Sequence, residues 1–129
     1  MLKTANINRL RVWLALRRQK QRRHSTPQPT APYNLAGSFE WDETEVGRAD
    51  ALFDWQFDHG NCPVATFEIW WKSANGTGWV WTLLTTIPSS QIGYRHPSAV
   101  GPEAWVFYKL RYVNGAVVGP FSADLEIIE

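Results

Sequence analysis

From Tyr33 onward apolar side chains recur at every second position, a period that suits a half-buried extended strand and no helix. Ala51, Phe53, Trp55 and Phe57 alternate with Leu52, Asp54, Gln56 and Asp58. Phe67, Ile69 and Trp71 alternate with Glu68, Trp70 and Lys72. Asn75-Gly76 follows and predicts a tight hairpin, because both central positions of such a turn take positive φ. Further strands are predicted over residues 79–87, ended by Pro88, and over 91–95, with Ile92 and Tyr94 on one face. Val106, Tyr108, Leu110 and Tyr112 alternate with Phe107, Lys109, Arg111 and Val113, and Asn114-Gly115 predicts a turn. In the last strand Ala123, Leu125 and Ile127 share a face. With a first strand near 35–39 there are about seven short strands in about 100 residues, the number expected of an antiparallel sandwich. The body, residues 33–129, is all-β.

The preceding residues follow another pattern. Residues 7–23 lack Gly and Pro and are rich in Leu, Ala, Arg, Gln and Lys. Ile7, Leu10 and Leu14 share a helical face that Val12, Trp13 and Leu16 widen, and Asn6 or Asn8 would cap its start. The second half is almost wholly polar. Residues 1–24 therefore read as a basic, partly amphipathic helical arm. An isolated helix of this length is marginal in water, so it needs something to dock on. Residues 25–32 hold three prolines among small polar residues, a semi-rigid spacer in extended geometry.

Charge divides at the same boundary. The net charge is +1, yet eight of the 13 basic residues precede His24 and no acid precedes Glu40. The arm carries +8 and the body −7. An anionic partner is therefore to be sought at Arg9, Arg11, Arg17, Arg18, Lys20, Arg22 and Arg23, with Trp13 as the apolar anchor. Contacts to nucleic acid there would be to phosphates, with a log–log salt slope of about −3 to −5. No apolar run approaches the roughly 20 residues of a membrane span. The apolar stretch 12–16 is shorter than the about 7–15 residues of a secretory h-region, so a signal peptide is not expected. An acid-free, Arg-rich start also resembles an organelle transit peptide. Cys62 stands alone, so no intrachain disulfide forms.

Several short motifs in the body together resemble a fibronectin type III domain across nearly all of residues 32–126. Pro32 with Asn34-Leu35 matches the opening of such domains, Trp55 the tryptophan of the second strand, and Phe67 and Ile69 the third-strand pattern. Tyr108-Lys109-Leu110-Arg111-Tyr112, Asn114-Gly115 and Gly119-Pro120-Phe121-Ser122 match the Tyr-rich strand, the turn and the Gly-Pro-x-Ser segment. Two departures stand out. Val100-Gly101-Pro102 replaces the usual Leu-x-Pro, which leaves Tyr108 as the choice for the buried corner tyrosine, and the tryptophan content exceeds what the family needs. An immunoglobulin-like sandwich without its disulfide is the alternative. The resemblance implies adhesion, spacing or linkage rather than catalysis. Similar domains also decorate bacteriophage virion proteins; with no signal peptide expected, cytoplasm or a virion is the expected location.

Candidate chemistry is sparse. His59 and Cys62 share a loop, but zinc needs four ligands and a cysteine nucleophile needs a paired base. Glu40, Asp42, Glu43, Glu45 and Asp50 form an acidic patch without the spacing of a calcium loop. No metal or other cofactor is expected. Asn75-Gly76-Thr77 fits the glycosylation pattern and is equally explained by its turn.

Eight tryptophans are too many for a small core, so some must contribute to the surface. Alternation puts Trp70 on the outer face of its sheet, where the family's strand order adds Lys72, Phe107, Lys109 and Arg111. An exposed aromatic ringed by cations has the composition of a protein or glycan contact. Trp79 and Trp81 belong to the candidate surface, although alternation alone does not assign them inside or outside. The expected function is a non-catalytic interaction module whose arm anchors it in a larger assembly, such as a virion or another multi-protein particle. The alternatives are a nucleic-acid-associated protein acting through the arm and a carbohydrate-binding module using Trp70, Trp79 or Trp81.

Overall fold

Period-two patterning becomes eight antiparallel elements in a computed structural model that describes residues 28–44, 47–74, 76–101 and 104–129. These are β1 (Tyr33–Trp41), β2 (Ala49–Gln56), β3 (Thr66–Ser73), β4 (Thr82–Pro88), β5 (Gly93–Val100), β6 (Trp105–Asn114), β7 (Val117–Val118) and β8 (Leu125–Ile128). One sheet has the order β1-β2-β5. The other has the order β4-β3-β6-β7, with β8 also on β6. β7 and β8 are two parts of one last strand, both paired with β6 and separated by the Gly119-Pro120 segment. The sandwich is therefore seven-stranded, as the alternation implied, with its final strand interrupted. The arm and the first spacer residues, 1–27, lie outside the described residues.

The faces facing inward are the expected ones. Ala49, Ala51, Phe53 and Trp55 of β2 are buried against Phe67 and Ile69 of β3 and Val106, Tyr108, Leu110 and Tyr112 of β6. Phe53 stacks on Tyr108 with centroids 4.3 Å apart, and Trp55 meets Phe67 edge-on at 5.7 Å. These contacts join the two sheets, and large aromatic side chains supply much of the apolar area that holds them together. Pro32 is fully buried at the start of the body.

Four local expectations are corrected. The strand placed over 79–87 begins only at Thr82, because Trp79 sits in the left-handed region at φ 64° and its N–H donates to the Ser73 carbonyl. The eight residues 74–81 separate β3 from β4, so no two-residue hairpin closes there. Asn75 is outside the described residues. Gly76 serves a close approach: a Cβ there would lie 2.8 Å from Trp71 Cζ3 and 2.9 Å from Ser73 Oγ. The strand placed over 91–95 runs instead from Gly93 to Val100, since Gln91 closes a turn onto Pro88 and Ile92 is exposed. Pro97 is tolerated within it because β5 is an edge strand. In the last segment Ala123 is exposed and outside β8, while Leu125 and Ile127 are buried. The Asn114-Gly115 turn does form, with Gly115 at φ 57°.

Tyr108 is fully buried, but its hydroxyl meets the imidazole Nδ1 of His96 at 2.7 Å rather than a nearby backbone group. The hydroxyl of Tyr112 donates to the Pro63 carbonyl at 2.8 Å. Burial pushes the Tyr108 hydroxyl pKa up and lowers that of His96 to about 4, so the pair is neutral at physiological pH.

Candidate functional site

The outward side chains of β3 and β6 form an alternating column of rings and cations. Register sets the order: Glu68 lies opposite Arg111, Trp70 opposite Lys109 and Lys72 opposite Phe107. The Arg111 guanidinium is 4.5 Å from the Phe121 centroid and 5.9 Å from that of Trp70. Lys109 Nζ lies 4.2 Å from the Phe121 ring centroid and 4.3 Å from that of Trp81. Lys72 Nζ lies 4.8 Å from Trp81 and 5.0 Å from Phe107. Phe107 then meets Trp79 and Trp105, which touch edge-on at 4.8 Å.

All seven residues assigned to this surface from the sequence thus fall on one face, joined by Phe121, Trp105 and Glu68. Trp70 is half-buried rather than exposed. Its own sheet covers it, through Arg111, an edge-on contact with Phe121 at 6.0 Å and a 3.1 Å hydrogen bond from its Nε1 to Glu68. Trp81 is likewise half-buried, whereas Trp79 and Trp105 are each 40% exposed. Trp105 was missed, although its place two residues before Phe107 puts it on the same face of β6. Phe121 carried no such signal, because it reaches the face from the irregular segment between β7 and β8.

Electrostatics along the column are uneven. Arg111 Nε donates to Glu68 Oε1 at 2.8 Å. Burial pushes the Glu68 carboxyl up, but the Arg111 and Trp70 donors outweigh it and hold the pKa below the usual carboxylate range. Lys72 and Lys109 have ring faces but no carboxylate partner among the described residues. Each cation–ring contact contributes about 0.5–2 kcal/mol, depending on desolvation. The column is therefore ordered before any partner arrives.

On the opposite sheet Arg95 bridges Glu40 at 2.9 Å and Asp50 at 2.7 Å. The Ser98 backbone N–H and Arg95 together hold Asp50 below the usual carboxylate range. Among the described residues no set of His, Cys, Asp or Glu is grouped to bind a metal. His59 and Cys62 are joined through the backbone, the Cys62 N–H donating to the His59 carbonyl at 2.7 Å. A hollow of about 640 Å³ on this sheet is lined largely by Ala36, Gly37, Ser38 and Gly93, with Asp54 and Arg95 beside them. No helix among the described residues is long and apolar enough to cross a membrane.

No family model and no curated protein matches the chain. Solved structures do. The FN1–FN3 domains of chicken CNTN1 match at TM-score 0.59 and 14% identity over 79% of this chain, which spans 32% of that longer one. An Fn3-like protein from Clostridium thermocellum matches at TM-score 0.55 and 18% identity, covering 78% of this chain and 93% of the other. The sixth fibronectin type III domain of human fibronectin type III domain containing protein 3 matches at TM-score 0.51 and 13% identity, over 81% and 85% of the two chains. The body of this chain has a fibronectin type III-like fold.

Proposed function

We propose that the protein is a non-catalytic interaction module, its sandwich displayed outward and residues 1–24 anchoring it in a larger assembly such as a virion or another multi-protein particle. The observation that carries this is the division of the chain. The body buries its own aromatic core and holds an acidic balance, while the leader is basic and has a greasy half it cannot bury alone. The ordered cation–aromatic face supports contact rather than chemistry, because its cations are held on rings instead of converging on a cleft. Deleting residues 1–26 is expected to leave a folded monomer that no longer co-purifies with its assembly. Retained co-purification would overturn the anchoring role.

A carbohydrate-binding role draws on one specific feature, the exposed Trp79–Trp105 pair. Trp70 and Trp81 support it less, since cations already lie over their rings. Unchanged tryptophan fluorescence across a panel of oligosaccharides would remove this reading.

A further inference from the structure

The outer face of the β3–β6 sheet has a readable sequence along its length. Side chains on one face of a strand recur about every 7 Å. Trp105, Phe107, Lys109 and Arg111 occupy four consecutive outward positions on β6, and Lys72 shares the position of Phe107. From one end the face therefore offers an apolar step, then cations at Lys72, Lys109 and Arg111. The apolar step is widened by Trp79, which is packed on Trp105, and by Ile128, which lies opposite Trp105 and is 58% exposed. Arg111 already has its charge paired with Glu68, so Lys72 and Lys109 are the cations of this face without a carboxylate partner among the described residues.

We propose that this face takes an extended acidic segment of a partner protein, with one large apolar residue followed by carboxylates at alternate positions. An extended polypeptide repeats its side chains at the same spacing of about 7 Å, so two carboxylates on one side of it meet Lys72 and Lys109 in register. The lysines are already held over Trp81, which reduces the ordering cost of binding. Two other occupants fit poorly. The chain's own arm carries eight basic residues and would be repelled. Single-stranded nucleic acid draws much of its affinity from bases stacked on open rings, and here cations lie over Trp81, Phe107 and Phe121. The proposal rests on the reading of the body as an interaction module, but not on anchoring by the arm, which the deletion tests separately.

The test uses the full chain and its Lys72→Met/Lys109→Met double variant, which keeps the aliphatic stems on the rings while removing charge. A fluorescein-labelled peptide, Trp-Thr-Glu-Thr-Glu, is titrated by fluorescence anisotropy, beside a same-composition peptide with adjacent glutamates, a heparin fragment and an oligothymidylate. The arm acts alike in parent and variant, so their affinity ratio isolates the face. The alternating peptide is expected to weaken by about tenfold in the variant, with the other three probes changing less. Equal peptide affinity in both proteins would overturn the proposal. So would a larger loss for heparin or oligothymidylate, which assigns the face to a polyanion. Concentration-dependent self-association lost in the variant would assign it to the acidic cluster of a second copy. Should the double variant fail to fold by circular dichroism, Trp105→Ala removes the apolar step and is expected to weaken the same peptide selectively.

Discussion

The imidazole of His96 on β5 is hydrogen-bonded to the hydroxyl of Tyr108 on β6, 2.7 Å away and buried, so one polar contact spans the two sheets. Trp71 closes the site edge-on to the imidazole at 4.5 Å.

This pair makes stability depend on pH. Burial lowers the His96 pKa to about 4, below the ordinary value of 6.5, so the unfolded chain takes up a proton first as pH falls. The contribution is complete above pH 6.5 and is lost progressively toward pH 4, to a total of about 3 kcal/mol. Urea denaturation at pH 7, 5.5 and 4.5 is expected to show the decline, and His96→Gln to flatten it relative to parent. An equal slope in both proteins would contradict the assignment.

Removing the partner hydroxyl has a separate effect. Tyr108→Phe leaves the buried Nδ1 of His96 without its partner and is expected to cost about 1–3 kcal/mol at pH 7. Denaturant midpoints at constant slope measure it.

Gly76→Ala is expected to destabilise by about 1–3 kcal/mol, because its Cβ would press on the Trp71 ring, which rests on His96. Gly60→Ala meets no atom within 4 Å, so only its positive φ of 54° opposes it and the cost is about 1 kcal/mol. Thermal melts of the two variants, with near-ultraviolet circular dichroism for Trp71, distinguish steric from backbone strain.

Glu68 organises one end of the outer column. Glu68→Gln weakens the pairing with Arg111 and is expected to cost about 1–2 kcal/mol, with altered Trp70 emission because the indole N–H loses its charged acceptor. Emission spectra and melts of parent and variant at equal salt check both effects.

Legibility in the sequence followed the regularity of the backbone. Alternation placed Phe53, Trp55, Phe67, Ile69 and the β6 interior correctly and put Trp70 on an outer face, while the strand order of the resembled family brought Lys72, Phe107, Lys109 and Arg111 to that face. It failed where the chain leaves the strand period. Trp79 has a left-handed backbone beside Gly78, so its side chain follows no strand parity. Phe121 enters the column from a proline-containing interruption. The His96–Tyr108 contact depends on how two sheets stack, which no pattern within one strand encodes.

The ordered stacking of Lys72 and Lys109 on aromatic rings is best tested by the proton chemical shifts of their side-chain methylenes in solution. Ring currents from Trp81, Phe107 and Phe121 are expected to move both sets of ε-protons clearly upfield, and Trp81→Ala to reduce the shift of both, leaving the part due to Phe107 and Phe121. Random-coil shifts for both lysines in the folded parent would contradict a preformed contact face.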